Sequence, residues 1–92
     1  MKTIEQQVIK LVQEHSVAKD IDITGDTRLF EDLGYDSIAV IQLLVAVEER
    51  FGFESDDFDE CTEASENVSS FIAFVKERAE HAADKNRTDQ PN

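Results

Sequence analysis

Residues 38–47, Ile-Ala-Val-Ile-Gln-Leu-Leu-Val-Ala-Val, are apolar at every place except Gln42. Asp36 just ahead of them is a good N-cap, so a helix is predicted to start at Ser37 and to run to about Phe51. At 100° per residue, Val40, Leu43, Leu44, Val47 and Phe51 share one sector, a core face. Ile38, Gln42, Val45 and Glu49 fall roughly opposite. That second face is either covered by neighbouring helices or left open as an apolar patch for docking other proteins. Ser37 sits at the positive end of the helix, where free N–H groups and the dipole favour an anion, bound or covalently attached.

The chain has 92 residues, enough for one small domain and too few for an enzyme built around a deep pocket. Asp and Glu number 21 against 9 Lys and Arg, a formal charge of −12 that disfavours nucleic acid and anionic membranes and favours partners with basic patches. The single Cys61 cannot form an internal disulfide and reads as a small residue with no chemical task. Met1-Lys2-Thr3 leads straight into helical pattern, with no apolar signal core or membrane-length run, so a cytoplasmic monomer is expected.

A first helix is predicted from about Thr3 to about Ser16. Thr3 and Gln6 have capping-box spacing, and Ile4, Val8, Leu11 and Val12 form one stripe. His15 suits its C-terminal end as a cation. From about Val17 to Tyr35 the periodicity is lost. Ile21, Ile23, Leu29, Phe30 and Leu33 are expected to pin this long loop to the bundle, and Gly34 to let the chain turn sharply and leave Ser37 accessible. A final helix is predicted from Ser65 or Asn67 to about Arg78, with Val68, Phe71, Ile72 and Val75 buried and Lys76 and Arg78 near its C-terminal end. Residues 1–79 thus form the domain, and 80–92 a polar, disordered tail. Asn67-Val68-Ser69 matches a glycosylation sequon but should be inert on a buried face.

Asp32-Leu33-Gly34-Tyr35-Asp36-Ser37-Ile38 resembles the Asp-Leu-Gly-x-Asp-Ser-Leu signature of acyl carrier proteins, whose serine bears a 4′-phosphopantetheine arm. The likeness takes in Phe30 and Glu31 upstream and residues 47–51 downstream, and the helix pattern agrees over roughly residues 4–78. It implies an all-α fold, an up-and-down four-helix bundle of three long helices and one short one with a long first loop. It further implies that a phosphopantetheinyl transferase esterifies Ser37 from coenzyme A with Mg²⁺, Asp36 holding the metal or capping the helix and Gly34 shaping the approach. Acyl-loading enzymes, ketosynthases or other acyl-processing enzymes would then dock on Ile38, Gln42, Val45, Glu48 and Glu49. The short third helix implied after Phe51 would be capped by Asp56 or Asp57 and anchored by Phe53 and Phe58, though Thr62, Ser65 and Asn67 discourage a long one.

Carriers of primary fatty acid synthesis tend to place acids just after the serine and again a turn later. Ala39 and Gln42 stand in those places, and Ile38 replaces Leu. The expectation is therefore polyketide or hybrid polyketide and peptide biosynthesis, with fatty acid synthesis or an aminoacyl cargo as alternatives. Residues 20–31 offer a different reading, since Asp20, Asp22, Gly25 and Glu31 match EF-hand positions 1, 3, 6 and 12. Thr24 and Thr27 depart from that motif, and no second loop is visible. No catalytic constellation emerges: neither His15 nor His81 has triad spacing to Ser37, which reads as another enzyme's substrate.

Overall fold

The computed structural model describes residues 3–17, 21–55 and 58–88, with side chains as far as residue 82. Four helices follow in order, α1 (Ile4–His15), α2 (Ser37–Phe51), α3 (Phe58–Ala64) and α4 (Val68–Thr88), and the described residues hold no strand. The chain is the expected all-α bundle of three long helices and a short one. None of these helices is long and apolar enough to cross a membrane.

Each long helix starts on a side-chain cap. Thr3 Oγ1 accepts the Gln6 N–H at 3.1 Å while Gln6 Oε1 accepts the Thr3 N–H at 3.2 Å, the full capping box. Asp36 Oδ1 accepts the Ala39 N–H at 2.8 Å. Asn67 Oδ1 accepts the Ser70 N–H at 2.8 Å, and the carbonyls of Thr27 and Gly25 take the Val68 and Ser69 N–H groups at 2.8 and 2.9 Å. The N-terminal donors that α4 cannot satisfy itself thus go to the first loop. At the other end of α2, Gly52 stops the helix at φ +74°, a left-handed position that favours glycine.

That loop accounts for its own length. Ser16 Oγ donates to the Leu33 carbonyl at 3.2 Å, so its two ends meet. Between them it runs back along α1, where Gly25 borders the same groove as Gln6 and Ile9, reaches the start of α4 and returns. Leu29 and Leu33 are fully buried, each contributing roughly 1.5–3 kcal/mol of apolar transfer. Ile23 and Phe30 are half-buried, whereas Ile21 is 38% exposed and does not act as an anchor, because the two leucines occupy the core positions.

The Tyr35 hydroxyl bonds to Val12 late in α1, and Arg50 Nε late in α2 bonds to Gln7 Oε1 early in α1, so these two helices run antiparallel. Their core faces are those expected, with Val8, Val12, Val40, Leu43, Leu44 and Val47 buried and Ile4, Leu11 and Phe51 half-buried.

α3 covers the far side. Cys61 and Phe53 reach the core, but Phe58, at the first residue of α3, lies at its margin and is 36% exposed. Asp56 and Asp57, expected as caps, lie outside the described residues. Thr62 Oγ1 turns back to the Phe58 carbonyl at 3.0 Å, and Ser65 Oγ to that of Cys61 at 2.8 Å, which helps to close the helix at seven residues.

In α4, Val68, Phe71, Phe74 and Val75 are buried and Ile72 is half-buried. The helix continues to Thr88, ten residues past the end expected at Arg78. Polar composition is no barrier there, because residues such as Ala, Glu and Lys are good helix formers. The backbone is therefore helical over residues 80–88, expected to be disordered, and residues 89–92 lie outside the description. Arg78 is accordingly mid-helix, where it pairs with Glu60 of α3 and lies 5.4 Å over the Phe74 ring. Lys76 is likewise mid-helix.

Burial pushes the Cys61 thiol up to about 11, with the Glu48 charge adding and Ser65 partly offsetting, and burial raises the Tyr35 phenol above its ordinary range. Both groups hold their protons more tightly folded than unfolded. Their contribution is complete below the unfolded-state values near 9 and 10 and is lost as pH rises through the folded ones. Melting temperature should fall progressively above about pH 9, and Cys61→Ala should remove the earlier part of that fall, as thermal denaturation across pH 8–11 will show.

Candidate functional site

The site is assembled around the first turn of α2. Asp36 is extended (φ −125°, ψ −175°) and caps the helix, which makes Ser37 its first residue, with an exposed side chain. Among the described residues no hydrogen bond engages the Ser37 hydroxyl. The Asp36 cap takes the Ala39 N–H and the Asp36 carbonyl takes that of Val40 at 2.9 Å. The N–H groups of Ser37 and Ile38 thus have no partner within the helix, and together with the dipole they suit an anionic phosphodiester on the hydroxyl.

The approach to Ser37 is fastened from beneath. Gly34 has φ +74°, and a Cβ on it would lie 2.6 Å from Val17 Cγ2. Tyr35 is buried, gives its N–H to the Leu29 carbonyl at 3.0 Å and donates its hydroxyl to the Val12 carbonyl at 2.6 Å. A turn just upstream is tied by Arg28, whose backbone N–H and guanidinium both reach Asp32 and hold its carboxyl below the usual carboxylate range. Ser16 and Tyr35 were not singled out from the sequence. The one available signal was that the lone tyrosine fills the variable slot of the motif.

Beyond Ser37, one side of α2 stays open: Ile38 is 67% exposed, Ile41 and Val45 each 45%, and Gln42 and Glu49 are exposed as well. This face is thus exposed and not covered by neighbouring helices, and Ile41 belongs to it. Glu48 stands apart, since it is half-buried and its Oε2 accepts the Ser55 N–H at 2.8 Å, fastening the turn after α2.

The calcium-loop reading does not find its geometry. Glu31 pairs with Arg28 at 2.8 Å, and residues 29–33 form an isolated turn, with the Asp32 and Leu33 N–H groups on the Arg28 carbonyl, that does not continue as a helix. The next helix waits until Ser37. Asp20 lies outside the described residues, and among those described no three His, Cys, Asp or Glu side chains gather to hold a metal.

The family model described as the phosphopantetheine attachment site matches residues 6–73. The acyl carrier proteins of Rickettsia typhi and Rickettsia felis are each 40% identical over 75 residues, which is 82% of this chain and 85% of theirs. That of Rickettsia bellii is 34% identical over 74 residues, 80% of this chain and 84% of its own. The chain belongs to the acyl carrier protein family. It is a non-catalytic carrier with a covalently bound 4′-phosphopantetheine, modified by a phosphopantetheinyl transferase and served by acyl-processing enzymes. When bound, the arm supplies a thiol that holds the acyl group as a thioester.

Because Gly34 combines a positive φ with a close approach to Val17, Gly34→Ala should cost about 1–3 kcal/mol. Gly25→Ala, where a Cβ would meet only ordinary contact at 3.4 Å from Ser69 Cβ, should cost less. Urea denaturation of the two variants measures the difference.

Proposed function

We propose that Ser37 is the residue that carries the arm, and that the carrier serves polyketide or hybrid polyketide and peptide biosynthesis. The observation behind the first part is an exposed hydroxyl on the first residue of a capped helix, beside two N–H groups with no partner in the helix. Attachment forms a bond from Ser37 Oγ to the pantetheine phosphorus as the diphosphate P–O bond of coenzyme A breaks; adenosine 3′,5′-bisphosphate leaves, and the Oγ proton passes to a base of the transferase. Asp36 caps the helix and, being exposed, is available to the Mg²⁺ that accompanies coenzyme A. The tethered arm raises the effective concentration of its acyl group at each partner site.

Support for the pathway comes from the open face of α2. Ala39 and Gln42 replace the acids that carriers of fatty acid synthesis tend to have there, while Ile38, Ile41 and Val45 are exposed. Docking on this face therefore rests less on charge steering and more on apolar contact. Fatty acid synthesis is the second reading, consistent with relatives that are named acyl carrier proteins.

With coenzyme A, Mg²⁺ and a permissive transferase, the wild type should gain the mass of one arm and Ser37→Ala none, as read by intact-mass spectrometry. The holo-protein loaded with an acyl group should be a poor substrate for a fatty acid ketosynthase with a basic docking patch. Ala39→Glu with Gln42→Glu should raise kcat/KM about tenfold at low salt and lose that gain at high salt. Wild-type turnover as fast as that of the acidic variant would favour the fatty acid reading.

A further inference from the structure

Tyr35 lies two residues ahead of Ser37, and only 5% of it is exposed. Its hydroxyl meets an acceptor that α1 leaves free. The Ser16 N–H, which would bond to Val12 in a continuing helix, turns instead to the Gln13 carbonyl at 3.2 Å, and the Tyr35 hydroxyl takes up the Val12 carbonyl at 2.6 Å. Two residues back, the Leu33 carbonyl is held by Ser16 Oγ at 3.2 Å. The chain entering α2 is thus bound to the end of α1 through two side chains, while Asp36 and Ser37 stand exposed immediately beyond.

Resting on the reading of Ser37 as the attachment residue, we propose that Tyr35 is a positioning residue for its modification, with Ser16 as a second tie. The phenol, by satisfying the free carbonyl at the end of α1, holds the first turn of α2 in the orientation that presents Ser37 Oγ to the phosphorus of coenzyme A. Phosphoryl transfer to a hydroxyl depends on the attacking oxygen lying in line with the bond that breaks, so a small tilt of this turn costs turnover. Ile41, Val45 and Glu49 of the open face lie beyond that turn and move little with such a tilt, so docking is kept.

The test is steady-state phosphopantetheinylation of the full chain, followed by mass and run well below each variant's melting temperature. Tyr35→Phe should lower kcat roughly three- to tenfold, the scale of one buried hydrogen bond, with KM unchanged within about twofold. The Ala39 N–H, bonded to Asp36, should exchange faster with solvent in that variant. Ser16→Ala should move kcat the same way by a smaller factor, and it decides the matter if Tyr35→Phe does not fold. A lowered melting temperature with kcat unchanged, or a raised KM at constant kcat, would show a merely structural role and overturn the proposal. A wild type that gains no arm, or a Ser37→Ala variant that gains one, would instead overturn the reading of Ser37.

Discussion

The carbonyl of Val12 has no N–H of its own helix to accept, and its burial makes that vacancy costly. An unsatisfied buried carbonyl costs about 1–3 kcal/mol, comparable with a large part of what a small domain has to spare. The chain meets this requirement with a hydroxyl 23 residues away, that of Tyr35. The contact orders three things together: where α1 ends, where the long loop must return, and from what point α2 starts. An apolar residue at 35 could fill the same space but would leave the carbonyl bare, and the return of the loop would then depend on Leu29, Leu33 and the Ser16 bond to the Leu33 carbonyl.

The same exchange recurs at the start of α4. Its first donors are taken by the carbonyls of Gly25 and Thr27, and Thr27 is itself buried, with Oγ1 accepting the Thr24 N–H at 2.9 Å. The first loop thus closes one helix end with side chains and another with its backbone. An apolar core alone would allow the helices to slide, since burial is not directional. These polar ties fix the register, and so determine which residue of α2 stands at its exposed tip.

This division explains what could be read from the sequence. Periodic apolar residues announce a helix and its face, so α1, α2 and the buried stripe of α4 were legible, as was the capping box at Thr3, because its two side chains are three residues apart. The place of Ser37 at the exposed first turn of α2 was legible for the same reason, since it stands next to a cap and an apolar run. Ties between a side chain and a distant carbonyl leave no such trace: every residue has a carbonyl, and nothing in the order of residues says that those of Val12, Leu33 or Gly25 would be free. The end of α4 was missed because a polar helix has no stripe to betray it. Phe58 and Ile21 were misjudged because hydrophobicity indicates a preference for the core without saying whether the core has room.

Charge completes the picture. Arg28 is held by Glu31 and Asp32, Arg50 by Gln7, and Arg78 by Glu60 and the Phe74 ring. The guanidinium groups among the described side chains are thereby spent on internal ties, while most of the described carboxylates are exposed in a chain of formal charge −12. A surface of that kind attracts basic partners from a distance but cannot by itself choose among them. With Ser37 as the proposed attachment residue, discrimination falls to contact on α2, where the exposed Ile38, Ile41 and Val45 offer shape beside it. A carrier handed from enzyme to enzyme needs encounters that are fast and contacts that release. Diffuse acidity with a modest apolar patch provides both, because screened long-range attraction speeds approach while the small buried area keeps each complex short-lived.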